Sequence, residues 1–151
     1  MATNKNQERF ATFELGVPQS AGVAVAIASG AAVLFGNAAN SSRPMAGVTA
    51  EASNSANYPY NENVPFITVD FEGVYNLTVS ATTLKSPSAG AAINPGDAVF
   101  YDGGTYDVAT GLTYGGTLDV DTSGVFFGRS LDALAAGQTG TLRIILRNSA
   151  F

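Results

Sequence analysis

The sequence contains no cysteine, no histidine and no tryptophan among its 151 residues. The absence of cysteine excludes a disulfide framework, a thiolate metal site and a cysteine nucleophile. The absence of histidine removes the usual general base near neutral pH and the commonest metal ligand, and without it a Ser-His-Asp triad cannot be assembled. No glycine pair is followed by the lysine of a phosphate-binding loop. We therefore expect a protein that is not an enzyme, with no catalytic residues, no cofactor and no metal site.

Charge is also scarce, and it is mostly negative. Charged residues make up 13% of the chain, and 7 Lys and Arg face 12 Asp and Glu, which gives a formal net charge of −5. Because an acidic chain is repelled by a nucleic-acid backbone, we expect no nucleic-acid partner. A surface with few charges is typical of proteins that pack against copies of themselves or against another assembly, although ordinary β-domains share this composition.

One uncharged, apolar segment, residues 21–35, is a candidate for a signal-peptide core or the start of a membrane span. It is shorter than the roughly 18 to 20 residues that a helix needs to cross a bilayer, and Gly30 interrupts it. Its alternation of small and branched side chains favours two short buried strands joined at Ser29-Gly30. We therefore expect neither export nor a membrane partner.

Short apolar runs alternate with Gly, Pro, Asn and Asp along most of the chain, which is typical of a β-sandwich or barrel. Residues 66–79 alternate about Glu72-Gly73 and are predicted to form a hairpin. Residues 141–147 are predicted to form a second clear strand. Only residues 130–136, between a serine cap and a glycine stop, resemble a helix.

The predicted fold is therefore all-β: a small Greek-key or jelly-roll-like barrel or sandwich, with at most one short helix near residues 130–136. A chain of this length supports one core. We expect a single β domain over residues 10–151, preceded by an extended, polar N-terminal arm at residues 1–9 (MATNKNQER).

A weak internal repeat divides this domain. Two segments recur in the same order in both halves, 29–35 with 95–101 and 46–52 with 127–133. Each half then continues, some residues later, with a strand, at residues 64–70 and 141–147. The repeat predicts a pseudo-symmetric fold of two related units. Chance matching in a chain so rich in Ala and Gly is the competing explanation.

Two acidic segments have some features of functional sites. Residues 119–124 (DVDTSG) open like a calcium loop, but the twelfth position is Ser130 where a glutamate is needed. We predict a strand and a turn there. Asp70 and Glu72 have the spacing of a carboxylate pair on one strand face, but two solvated acids beside a turn are the better interpretation.

Four aromatic residues are candidate interface residues. Phe10 and Phe13 follow the polar arm. They either anchor a partner or, as we favour, belong to the first strand, with Phe13, Leu15 and Val17 facing inward. Tyr58 and Tyr60 lie in the polar loop 52–63 (ASNSANYPYNEN). They either supply contact area to a partner or fold back over the core.

Arg143 and Arg147 are the remaining interface candidates. They alternate with the apolar positions of the last strand and are two of only 7 cations. They either meet acidic patches on a partner or, as we favour, are solvated charges that guard an exposed strand edge.

The order of these segments resembles that of the capsid cement, or head decoration, proteins of tailed bacteriophages, whose chains begin with a polar arm starting Met-Ala-Thr-Asn. The matching stretches are residues 29–35, 46–48, 64–74, 93–102, 127–133 and 140–148. The resemblance implies a structural virion protein, made in the host bacterial cytoplasm and located on the outer capsid surface. It also implies that the protein binds the expanded head and bridges subunits of the major capsid protein, as a homotrimer rather than a homodimer.

A second class of protein shares the β-architecture and the tyrosine-bearing loop. It comprises phage fibre domains and surface carbohydrate-binding β modules. The absence of Trp argues against a site that stacks sugar rings, and binding to glycans would distinguish this class from the cement proteins.

Overall fold

The computed structural model describes residues 10–14, 19–20, 23–24, 27–37, 39, 44–50, 66–82, 90–107 and 111–147. The predicted arm at residues 1–9 and the loop residues Tyr58 and Tyr60 lie outside the described residues.

The described residues form strands and contain no helix. The strands are β1 Phe10–Glu14, β2 Gln19–Ser20, β3 Val23–Ala24, β4 Ala32–Phe35, β5 Met45–Thr49, β6 Phe66–Asp70, β7 Glu72–Ser80, β8 Ala98–Asp102, β9 Thr105–Asp107, β10 Leu112–Tyr114, β11 Thr117–Asp119, β12 Val125–Ser130 and β13 Thr139–Arg147. The predicted all-β class is confirmed.

The strands are arranged in one open sheet, one closed barrel and one small ribbon. The open sheet has six strands in the order β1-β6-β5-β4-β10-β9, the barrel has the order β11-β7-β13-β12-β8, and β2 pairs with β3. In the barrel, side chains alternate between inside and outside, so that Leu77, Val79, Leu142, Ile144 and Leu146 are buried in the main core. The predicted alternation of residues 141–147 is therefore correct.

The two halves of the chain repeat the same strand arrangement. We call β1, β4, β5 and β6 the first unit and β7, β8, β12 and β13 the second unit. Across its sheet the first unit has the order β1-β6-β5-β4, and the second unit has the order β7-β13-β12-β8. In both, three consecutive antiparallel strands are joined by an earlier strand that lies beside the last of them, which is Greek-key connectivity.

The strand registers of the two units also agree. The equivalent pairs are Val33 with Gly47 and Val99 with Gly128, Val48 with Asp70 and Arg129 with Ile145, and Phe10 with Asp70 and Val74 with Ile145. The first agreement is independent, because the sequence repeat already matches Val33 with Val99 and Gly47 with Gly128. The other two pairs extend the equivalence to the neighbouring strands.

Hydrogen bonds at the start of each unit's second strand show the same equivalence. The N–H of Gly30 donates to the carbonyl of Thr49 (2.6 Å), and the N–H of Gly96 donates to that of Ser130 (2.7 Å). In return, Thr49 and Ser130 each donate their N–H to the residue after the glycine, at 3.0 and 2.9 Å. Both glycines have positive φ, +74° and +96°, a conformation that glycine adopts without steric cost.

The register also aligns the strands that follow these repeated segments in the two halves. It makes Asp70 of β6 equivalent to Ile145 of β13.

The predicted hairpin at residues 66–79 is wrong, although both of its strands exist. β6 pairs with β1 and β5 in the open sheet, whereas β7 pairs with β13 and β11 in the barrel. The chain crosses from one sheet to the other at Phe71. Alternation correctly predicted the buried side of β7, but alternation carries no information about which strand lies alongside.

Residues 130–136 form no helix, which is within the predicted limit of at most one. Leu134 forms a β-bridge with Ile93, and its N–H donates to the carbonyl of Ile93 at 2.9 Å. Ser130 caps a bend instead of a helix, because its Oγ bonds to the N–H and carbonyl of Asp132 (3.2 and 2.7 Å). Packing of Leu134 against the core thus outweighs the helix propensity of this segment.

Candidate functional site

The outer face of the barrel carries most of the exposed apolar side chains. Four large hydrophobic side chains are exposed in the described residues, and three lie on or beside this face: Val74 (51%), Phe126 (46%) and Leu131 (38%). The fourth, Met45 (41%), belongs to the open sheet. Isolated exposed hydrophobics are normal, but their concentration on one face indicates a binding surface.

These side chains are neighbours by strand register. Val74 lies opposite Ile145, and Ile145 lies opposite Arg129. Phe126 lies opposite Phe100, and their rings meet edge to face with centroids 6.2 Å apart. These side chains therefore form one row that crosses β7, β13, β12 and β8.

Two further residues border this row. The N–H of Leu131 donates to the carbonyl of Arg143 (2.8 Å), which places Leu131 beside β13. Arg143 lies on the same strand face as Ile145, two residues away. We call this set the barrel face; it comprises Val74, Phe100, Phe126, Arg129, Leu131, Arg143 and Ile145.

A β-bulge in β12 brings Phe126 to the outside. The register between β12 and β8 shifts between Phe126 and Gly128. Phe127 is therefore turned inward, where it is 1% exposed and stacks on Tyr101 with ring centroids 6.1 Å apart. Bulges commonly redirect side chains in this way, and here the bulge adds an aromatic ring to the barrel face.

Arg129 connects the aromatic end of the face to the aliphatic end. Its guanidinium carbon lies 5.8 Å from the centroid of the Phe126 ring, a cation–π distance. Its Nη1 also donates to the carbonyl of Gly96 (2.8 Å). These two contacts fix the position of the guanidinium on the barrel surface.

Among the described residues, positive charge is confined to the same region. They include three cations, Arg129, Arg143 and Arg147, all on β12 and β13. Of their nine carboxylates, Asp132 pairs with Arg143 and Glu72 lies opposite Arg147. Aromatic residues and arginine are enriched in protein interfaces. The barrel face combines both in a chain with a net negative charge.

Arg143 also has an intramolecular partner. Its Nη2 lies 2.6 Å from Oδ1 of Asp132, and its backbone N–H donates to Oδ2 of the same residue at 2.8 Å. Hydrogen bonds from the Arg143 side chain, and then from its backbone, lower the pKa of Asp132 to about 2. The same pair raises the pKa of Arg143.

The structure corrects the interpretation of the last strand. Arg143 is exposed, as expected, but β13 is paired with β7 on one side and with β12 on the other, so it is not a sheet edge. Arg147 is the last residue of β13 and lies opposite Glu72. Phe10 and Phe13 lie in β1, which confirms that they belong to the first strand.

Of the barrel face, the sequence predicted Arg143 alone as an interface residue. The other six were missed: Val74, Phe100, Phe126, Arg129, Leu131 and Ile145. Their pattern offered one signal, since three of the 7 cations fall between positions 129 and 147. The bulge that turns Phe126 outward is invisible to a strict two-residue alternation.

A second feature is a cleft of about 650 Å³ between the first unit and the junction of β7 and β11, with a mixed polar and apolar lining. That junction is parallel and has one register pair, Leu118 with Val79. Hydroxyl and amide side chains line the cleft: Asn76, Thr78, Ser80, Thr82, Thr117 and Thr139. Asp119, which is 1% exposed, also belongs to the lining.

The acidic segment 119–124 forms the predicted strand end and turn. The carboxylates of Asp119 and Asp121 accept the backbone N–H groups two residues ahead, both at 2.9 Å. In the part of the chain that the structure describes, no group of three or more Asp, Glu, His or Cys is placed to hold a metal ion. Nor do those residues include a helix long and apolar enough to span a bilayer.

Comparisons of the chain with protein-family models, with curated proteins and with solved structures found no match. The barrel face and the cleft therefore have to be interpreted from their own geometry and chemistry.

Proposed function

We propose that the protein is a structural virion component that binds the outer surface of an expanded bacteriophage head and bridges subunits of the major capsid protein. The observation that carries the proposal is the barrel face, where exposed Phe126 lies against Arg129 and exposed Val74 lies in the same row two strands away. Such a face is suited to bind a protein surface. Elsewhere the chain is weakly charged and rich in small polar residues, which limits non-specific binding to DNA.

The barrel face is small, so one copy offers a modest contact. Several copies held together convert later binding events into intramolecular ones, and the gain in apparent affinity is about 10² to 10⁴. We therefore propose a homotrimer, with a homodimer as the main variant. In either form, the simultaneous contacts clamp neighbouring shell subunits.

A sedimentation assay tests this function. Purified protein is mixed with expanded and with unexpanded heads of the phage that encodes it, and the bound fraction is measured after centrifugation. We expect saturable binding to expanded heads and weak binding to unexpanded ones. Absence of binding to expanded heads would contradict the proposal.

Light scattering tests the oligomeric part separately. The chain mass is 15.4 kDa, and we expect a particle of three such chains in solution. A strictly monomeric protein at micromolar concentration would contradict the avidity argument.

The cleft favours a second candidate function, that of a carbohydrate-binding module. Its volume of about 650 Å³ lies within the usual range of small-molecule sites, and its hydroxyl and amide groups match the hydrogen-bonding needs of a sugar. A glycan array distinguishes the two. Saturable binding to one glycan, together with no binding to expanded heads, would favour the carbohydrate-binding module.

A further inference from the structure

The equivalence of the two units shows which side of the repeated fold is suited to packing against protein. In the first unit one side of β4 and β5 carries Ala32, Leu34, Ala46 and Val48, and these side chains pack in the main core together with the barrel residues. The first unit therefore uses this side as an intramolecular interface.

The same side of the second unit is exposed. By register, Ala98 and Phe100 of β8 are equivalent to Ala32 and Leu34, and Arg129 of β12 is equivalent to Val48. These three residues lie on the outside of the barrel. One side of the fold is thus covered by protein in the first unit and open in the second, where it forms the barrel face.

The second unit has a charged side chain where the first unit has an apolar one. This difference indicates which chemical groups a partner of the second unit has to present. Val48 is 2% exposed and needs only apolar neighbours, whereas its counterpart Arg129 needs hydrogen-bond acceptors when water is removed. Arginine has five N–H donors, and a single one bonds to Gly96 among the described residues. The other donors suit carboxylates, which accept arginine in bidentate geometry.

We infer that the barrel face docks on a protein surface that presents an apolar patch flanked by carboxylates. The inference rests on the proposed function, in which this surface belongs to the outside of the shell. Val74 and Phe126 fill the apolar patch, and Arg129 meets the carboxylates. Arg143 contributes less, because Asp132 already neutralises it.

A second copy related by a two-fold axis is a less suitable occupant. A symmetric dimer through this face would bring the arginines of both copies together, and like charges opposite one another disfavour association. An acidic surface on a different protein meets no such repulsion.

The test compares two substitutions of exposed hydrophobics by aspartate. Val74→Asp places a carboxylate on the barrel face, and Met45→Asp makes the same change on the open sheet at similar exposure, 51% against 41%. Binding of the full chain to expanded heads is measured by sedimentation. We expect Val74→Asp to weaken binding about tenfold or more, as loss of an interface anchor does, and Met45→Asp to change it by less than about threefold.

Arg129→Gln tests the charged part. Because Arg129 meets carboxylates, wild-type binding should weaken as salt is raised from about 50 to about 300 mM, and Arg129→Gln should show a flatter dependence. Circular dichroism and thermal unfolding confirm that each variant is folded. Phe126→Ala provides a second apolar variant if Val74→Asp does not fold.

The results of these experiments distinguish failure of the inference from failure of the proposed function. If wild type binds and both face variants bind equally well, the inference is wrong and the proposed function stands. If the wild-type protein does not bind expanded heads, the proposed function is wrong, and the capsid shell is not the partner of the barrel face. If Val74→Asp converts an oligomer to a monomer, the face holds a sister subunit and the inference is overturned.

Discussion

The two units of the molecule share strand order, register and a turn with a positive-φ glycine, yet one belongs to an open sheet and the other closes into a barrel. The difference arises from residues 105–119, which lie between the second and third strands of the second unit. β9 and β10 of this segment extend the first unit's sheet, and β11 closes the barrel. One inserted segment therefore completes both sheets and ties the two units together.

The turn between β10 and β11 is held by a residue that the first unit lacks. The hydroxyl of Tyr101 accepts the N–H of Gly116 (2.8 Å) and donates to the carbonyl of Thr113 (3.5 Å). In the aligned repeat the first unit has Phe35 at this position. Barrel closure therefore depends on a few side chains added to a shared framework.

The largest expected effect tests the shared framework. Gly47 and Gly128 are equivalent, and a Cβ on Gly128 would lie 2.7 Å from the carbonyl oxygen of Ile145, whereas one on Gly47 would meet a methyl group of Val69. Neither neighbour can move easily, because one is backbone and the other is the buried, β-branched Val69. We therefore expect Gly128→Ala and Gly47→Ala each to cost about 3 kcal/mol. Urea unfolding measures both; a neutral Gly128→Ala would contradict the register of β12.

The next effect concerns barrel closure. Tyr101→Phe gives the second unit the side chain of the first and leaves the N–H of Gly116 without its hydroxyl acceptor. We expect a loss of about 1 to 2 kcal/mol and faster hydrogen exchange at β11 than at β10. Phe35→Tyr is the matched control on the first unit. Unchanged exchange at β11 would show that Tyr101 does not hold the closure.

The smallest effect is a pH dependence of the free energy of unfolding. It belongs to the second unit, because the first unit has Thr68 at the position equivalent to Arg143. The pKa of Asp132 is lowered from 3.8 to about 2. The stability that its pair with Arg143 contributes is therefore present above about pH 4 and is lost as the pH falls towards about 2. Asp132→Asn should unfold at slightly lower urea than wild type at neutral pH, and the gap should close by about pH 2. A gap that stays constant with pH would contradict the pairing.

Sequence patterns predicted where the strands lie better than they predicted which strands pair with one another. Alternation correctly predicted the buried positions Leu142, Ile144 and Leu146, and the matching of Gly30 with Gly96 correctly predicted the repeat. Both signals are local. Pairing partners are set by the whole fold, which is why the hairpin at 66–79 and the exposed edge at β13 were wrong.

The candidate surface was only partly predictable. Arg143 was selected because its alternation with apolar residues was regular, and it is exposed. Phe126 and Arg129 were missed because the bulge at Phe127 interrupts the alternation between them. The barrel face is formed by β7, β13, β12 and β8, which are neighbours in the barrel. In the sequence, β7 and β8 are distant from β12 and β13.

The most direct test of the account is a cryo-electron microscopy reconstruction of expanded heads decorated with the protein. We expect Val74, Phe126 and Arg129 to be buried against the shell, with carboxylates of the major capsid protein within hydrogen-bond distance of the Arg129 guanidinium. A reconstruction in which the barrel face points to solvent or packs on a sister subunit would contradict the account.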